Sequence, residues 1–232
     1  MEQELYFCSP GENQYYSMLP LWGVARVSEM ANGTPWLEPQ WVGGHGDVPD
    51  GLALYTSRLD ATINSLVMNQ RDGDVWAVYP FTDFNVTQMM LERKAKQSKY
   101  WVMIIFGFTG DDFRRLIKTT GIYRTVYFPV GFPISDVIDQ NTNPAILNFS
   151  EDFFESVDEY WKVHFNAYCQ NIQHLNEMSK NSIEEMARKA ISQANVTDKP
   201  LLTANTHVSV MTYFRGEWVV SSPEGVASSK VH

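Results

Sequence analysis

Gly51-Leu52-Ala53-Leu54-Tyr55-Thr56-Ser57-Arg58-Leu59-Asp60-Ala61 decides the fold class. Leu52–Tyr55 is a short apolar run bounded by glycine on one side and Thr-Ser on the other, which reads as a buried strand. Ser57 followed three residues later by Asp60 has the form of a capping box, and Leu59, Ile63, Leu66 and Val67 then recur at helical spacing. Arg71-Asp72-Gly73 ends that helix. A strand that feeds directly into a capped helix is the first half of a βαβ unit.

The stretch downstream repeats the alternation. Asp74–Tyr79 reads as a strand closed by Pro80. Asn85 can cap a helix through Val86, Met89 and Met90 that ends on Arg93-Lys94-Ala95-Lys96, with basic residues where the helix dipole favours them. Trp101–Phe108 is the most apolar strand and the best candidate for a central one. Asp111-Asp112 then opens a third helix through Leu116 and Ile117, stopped by Gly121, before a further strand at Arg124–Val130. Upstream, residues 1–50 are rich in Gly, Pro and Trp, with short strands at Leu5–Cys8 and Leu21–Val27. The expected class is α/β, with mixed α+β as the near alternative, built on a mainly parallel or mixed sheet.

Beyond residue 148 the period changes. Ser150 can cap a long helix whose Phe154, Val157, Trp161, Phe165, Tyr168, Ile172 and Leu175 lie 3 or 4 apart in one apolar stripe. Ser182-Ile183-Glu184-Glu185 has the form of a second capping box, with a stripe through Met186, Ala187, Ala190 and Ile191. Thr206–Phe214, Arg215-Gly216 and Glu217–Val220 form a hairpin pattern, and a small polar tail follows. The chain thus divides into a sheet region over 1–148, a helical hairpin over 149–197 and a β-hairpin with tail over 198–232, taken together as one domain.

Composition bounds the function. The 232 residues carry a formal charge of −9, a pI near 5.0, 44% hydrophobic residues and 13% aromatics. An acidic chain repels nucleic-acid phosphate and anionic lipid, so neither nucleic acid nor a membrane is expected as partner. Met1-Glu2-Gln3-Glu4-Leu5 lacks the basic start of a secretory leader, and the longest apolar run, Tyr100–Phe108, is far short of a bilayer span, so a cytoplasmic location is expected. Cys8 and Cys169 form no C-x-x-C pair and read as reduced, structural thiols.

No short catalytic signature occurs in the sequence. Gly107-Phe108-Thr109-Gly110-Asp111-Asp112 follows the central strand, where α/β ligand sites form, but its acids are more simply helix-capping. Gly43-Gly44-His45-Gly46-Asp47 sets an imidazole beside a carboxylate, a general-base arrangement that is more simply a glycine turn with an exposed histidine. His164 and Cys169 are five apart and do not face each other on a straight helix. No catalytic residue, metal site or cofactor is therefore assigned.

Gly51–Ala61, with its Tyr-Thr-Ser step into a helix, resembles the strand-to-helix step of bacterial SseB-like N-terminal domains over about a dozen residues. The resemblance implies a bacterial α/β interaction domain, with no catalytic residues to carry over. The residues and this likeness together lead to a non-enzymatic, cytosolic binding protein that neutralises or sequesters a protein partner, with a basic partner favoured by the −9 charge. An immunity protein against a secreted toxin is one example. Trp36, Trp41, Asp111, Asp112 and Trp161 are the candidate contacts, and the chain is expected to be a monomer or small oligomer. The alternative is a small enzyme using the Gly107–Asp112 or His45–Asp47 loop.

Overall fold

The strand-to-helix step at residues 51–61 forms as the sequence dictates. In the computed structural model, which describes residues 15–43, 49–135, 138, 144–162, 164–165, 167–200 and 209–221, the elements run in this order. β1 (Tyr15–Tyr16), β2 (Trp22–Glu29), β3 (Pro35–Pro39), β4 (Trp41–Val42) and β5 (Gly51–Tyr55) precede α1 (Arg58–Asp72). β6 (Ala77–Pro80), α2 (Val86–Lys94) and β7 (Lys99–Gly110) follow, then β8 (Leu116–Thr119), β9 (Ile122–Tyr123), β10 (Thr125–Pro133) and β11 (Leu147–Asn148). The chain continues through α3 (Glu151–Trp161), α4 (Tyr168–Asn176), α5 (Lys180–Gln193), β12 (Val196–Thr197), β13 (Ser209–Phe214) and β14 (Glu217–Ser221). The expected strand at Leu5–Cys8, the His45–Asp47 pair, the first residues of the expected Thr206–Phe214 strand and the tail beyond Ser221 lie outside the described residues.

Ser57 caps α1 by accepting from Asp60 N at 3.2 Å, and Gly73 closes it at φ +73°. Asn176 of α4 locks the same step. Its Oδ1 accepts from Arg58 N at 2.7 Å and its Nδ2 donates to the Thr56 carbonyl at 3.0 Å. Most of α1 is buried, because it lies against the sheet on one side and α5 on another.

The sheet is mixed. β5 and β7 pair in parallel, Leu52 opposite Val102 through Tyr55 opposite Ile105, as the βαβ reading requires. Among the described residues parallel pairing is otherwise confined to β12–β8 and β1–β11. β10 returns antiparallel along nearly the whole of β7, and β2, β3, β4, β6, β13 and β14 pair antiparallel as well. The mainly parallel option is thus corrected to a mixed sheet, because hairpins carry most of the chain between the crossovers. Side chains alternate across the central strands. Leu52, Leu54, Val102, Ile104 and Phe106 join the large core, whereas Ala53, Tyr55 and Ile105 join a smaller one on the other face with Val24 and Met68.

Four local expectations are overturned. The third helix is absent. Asp111 Oδ1 accepts from Phe113 N and Arg115 N, Arg114 sits at φ +57°, and the chain enters β8. Thr120 and Gly121, both at positive φ, then turn it into β9. The long helix is broken between Trp161 and Tyr168, where Asp158 of α3 accepts from Cys169 N at 2.7 Å in the first turn of α4. α5 starts a turn earlier than expected, with Ser179 accepting from Ser182 N, so Ser182 is not the cap. The strand at Asp74–Tyr79 begins only at Ala77, because Trp76 is tied to α1. Asn69 Oδ1 accepts from Trp76 N, and Ser65 Oγ donates to the Trp76 carbonyl. The β13–β14 hairpin turns at Arg215-Gly216 as expected, both at positive φ.

Candidate functional site

A cleft of about 800 Å³ opens on the sheet between β4, the β8–β9 hairpin and the first half of β10. Its size is in the range of ligand pockets. Trp41, Tyr123, Arg124 and Tyr127 line it, together with Gln40 and a set of threonines that includes Thr109, Thr120 and Thr125.

Each wall has a structural reason for its position. β4 pairs with β5 through Trp41 opposite Leu52, and the Arg93 guanidinium lies 3.9 Å over the Trp41 ring. The Thr120-Gly121 turn brings Tyr123 back opposite Lys118. The β10–β7 register shifts between Val126 and Tyr127, where Phe106 is the extra residue on β7, and this bulge bends β7 beneath the cleft. Tyr127 donates its hydroxyl to the Gly43 carbonyl at 2.9 Å and so ties the β10 wall to the β4 wall.

The floor is a buried polar network. Gln40 Oε1 accepts from Tyr55 OH at 2.9 Å and from Asn64 Nδ2 at 3.1 Å, and Asn64 Nδ2 also reaches Tyr55 OH at 2.8 Å. Both acceptor directions of Gln40 Oε1 are used from below, so the Nε2 of that amide is the group Gln40 offers to the cleft it lines. Burial pushes the Tyr123 hydroxyl up to about 12. Burial also raises the Tyr127 hydroxyl, with Asp50 adding to the rise and Arg124 opposing it. Both phenols therefore stay neutral at ordinary pH. Asp50 stands at the rim, its Oδ1 facing the backbone of Gly43.

The residues singled out from sequence are scattered. Trp41 is in the cleft. Trp36 is half-buried on β3, opposite Ser28. Asp111 is buried and accepts from Arg115 Nε at 2.9 Å and Nη2 at 2.6 Å, so its carboxylate holds a turn. Asp112 is exposed on that turn. Trp161 is fully buried, stacked on Tyr168 with ring centroids 5.6 Å apart, and is corrected from candidate contact to core. The glycines of the 107–112 segment serve packing. A Cβ on Gly107 would stand 2.6 Å from Val210 Cγ1, and one on Gly110 2.6 Å from Ser209 Oγ, so both let β13 lie close on β7. Among the described residues, no group of three or more His, Cys, Asp or Glu side chains gathers as a metal site would. Cys169 is buried, and burial first, then Asp158, pushes its thiol up to about 12.

Gln40, Tyr123, Arg124 and Tyr127 were missed in the sequence. The available signal was the density of Tyr, Arg and Thr over Tyr123-Arg124-Thr125-Val126-Tyr127, across the junction of β9 and β10. No helix among the described residues is long and apolar enough to cross a membrane. Comparison with protein-family models, curated proteins and solved structures finds no match, so the likeness to SseB-like domains rests on Gly51–Ala61 alone.

Proposed function

We propose that the protein acts by binding a partner protein, which it neutralises or sequesters, and that the cleft beside β10 is where an anchor of that partner enters. The single observation that carries this reading is the lining itself. Trp, Tyr and Arg are the residue types that dominate binding energy at protein interfaces, and they do so from well-packed pockets. Here Trp41, Tyr123, Tyr127 and Arg124 share one concave site on a sheet. Gln40 supplies a fixed amide at its base. The fixed scaffold lowers the ordering cost of binding. An immunity protein that covers a toxin is one form this activity would take.

The test is capture of partners from the native host by the parent protein and by Arg124→Ala and Tyr127→Ala, each checked by circular dichroism. A partner held by the parent and lost by both folded variants supports the reading. A partner held equally by all three places the interface elsewhere. Turnover of any substrate, abolished by the same substitutions, moves the protein to the enzymes.

A further inference from the structure

Resting on that reading, we infer that the anchor entering the cleft is acidic: a short segment of the partner that presents an Asp or Glu carboxylate next to an aromatic side chain. The chain carries −9 overall, and net charge alone favours a basic partner. The cleft inverts that local balance. Among its described lining residues the one formal charge is the exposed guanidinium of Arg124, which has no ion pair among the described residues. A guanidinium fork matches a carboxylate in two parallel hydrogen bonds.

The rest of the lining points the same way. Gln40 offers an Nε2 donor, because Tyr55 and Asn64 hold its oxygen from below. Arg124 bears electrostatically on the Tyr127 hydroxyl, and that hydroxyl remains a neutral phenol. Arg124 and Gln40 are thus the donors the lining offers to a carboxylate, since the Tyr127 hydroxyl is spent on the Gly43 carbonyl, and the half-buried Tyr127 ring is the aromatic surface beside them. Asp50 is the opposing feature. It stands on the rim at Gly43, raises the Tyr127 hydroxyl and would favour a cation there. Arg124 and Asp50 therefore make opposite demands on a ligand, and this makes the inference decidable.

The experiment uses the full chain on an array of N-acetylated, C-amidated octapeptides. Each carries a fixed Phe or Trp, with Glu, Gln or Lys two positions on. The expected result is retention of Glu peptides about tenfold above their Gln counterparts, with Lys peptides weakest. Arg124→Gln erases the Glu preference, and Asp50→Asn increases it. Equal retention of Glu and Gln peptides, a Lys preference, or a Glu preference that survives Arg124→Gln overturns the inference. Tyr127→Ala separates the two levels. If it abolishes retention while Glu and Gln peptides bind the parent alike, the cleft binds partners but does not read acid. If it retains every peptide as the parent does, or if the parent retains none, the inference and the reading beneath it both fall.

Discussion

The Thr212 hydroxyl of β13 lies 3.2 Å from each carboxylate oxygen of Asp60 in the first turn of α1. Asp60 is 1% exposed, and its charge adds to the burial that raises the neighbouring Tyr55 and Tyr168 hydroxyls. One hydroxyl and the start of a helix are weak compensation for a charge taken out of water. Burial accordingly pushes the Asp60 carboxyl up to about 7, with Thr212 opposing the rise.

A definite pH dependence follows. The folded state holds the Asp60 proton more tightly than the unfolded chain, whose ordinary value is 3.8. The stability this group contributes is therefore complete below about pH 4, falls as pH rises, and is lost above about pH 7. The span is on the order of a few kcal/mol. Urea unfolding of the parent and of Asp60→Asn at pH 5 and pH 8 isolates the effect, since the other titrating groups cancel in the difference. Asp60→Asn should gain stability over the parent on going from pH 5 to pH 8. An unchanged difference would show the carboxyl titrating normally.

The clamp at the β5–α1 step gives a second expectation. Asn176 is 5% exposed and satisfies both a free amide at the start of α1 and the Thr56 carbonyl. Asn176→Ala leaves both groups buried without partners, at a cost of about 2–4 kcal/mol. Asn176→Asp keeps the acceptor for Arg58 N but loses the donor, so it should remain destabilised at neutral pH and recover in part as the carboxyl is protonated. Thermal unfolding of both variants at pH 5 and pH 7 measures this.

The fold was legible where one residue carries the signal. Ser57 and Asn85 cap their helices because each offers an oxygen to an amide three residues on. It was illegible where a distant side chain decides. Asp111 and Asp112 look like the start of a helix, but Arg115 draws the Asp111 carboxylate into a turn. The cleft was hidden for a similar reason. Gln40, Arg124 and Tyr127 come together only because β5 and β7 stand between β4 and β10, a sheet order that no local pattern encodes.

β10 is paired along one side by β7, and no described strand pairs along its other side. Pro129 and Pro133 fit that position, since a proline has no amide to offer a further strand and blunts an open edge. Pro129→Val with Pro133→Val restores two donors to a nine-residue strand rich in Val, Tyr and Phe. The double variant should self-associate at concentrations where the parent does not, as read by sedimentation velocity. Identical sedimentation would mean that something other than the prolines guards this edge.

Trp161 and Tyr168 are seven residues apart, and their rings stack at 5.6 Å with an interplanar angle of 10°. On a straight helix seven residues climb about 10.5 Å, so the contact requires the break that separates α3 from α4. The 3-and-4 spacing of the apolar stripe cannot reveal that break, because each half keeps the helical period by itself. Trp161 also meets Tyr160, Phe165 and the backbone opening at Gly107. Removing its ring empties the junction of α3, α4 and β7. Trp161→Ala should cost about 3–5 kcal/mol. Trp161→Phe should cost less, because it keeps a ring against Tyr168 and discards the indole Nε1, which is buried without a hydrogen-bond partner among the described residues. Chemical denaturation measures both costs, and peptide retention at a temperature where both variants stay folded should match the parent. A Trp161→Ala protein that melts like the parent but no longer retains its partner would return Trp161 to the binding surface.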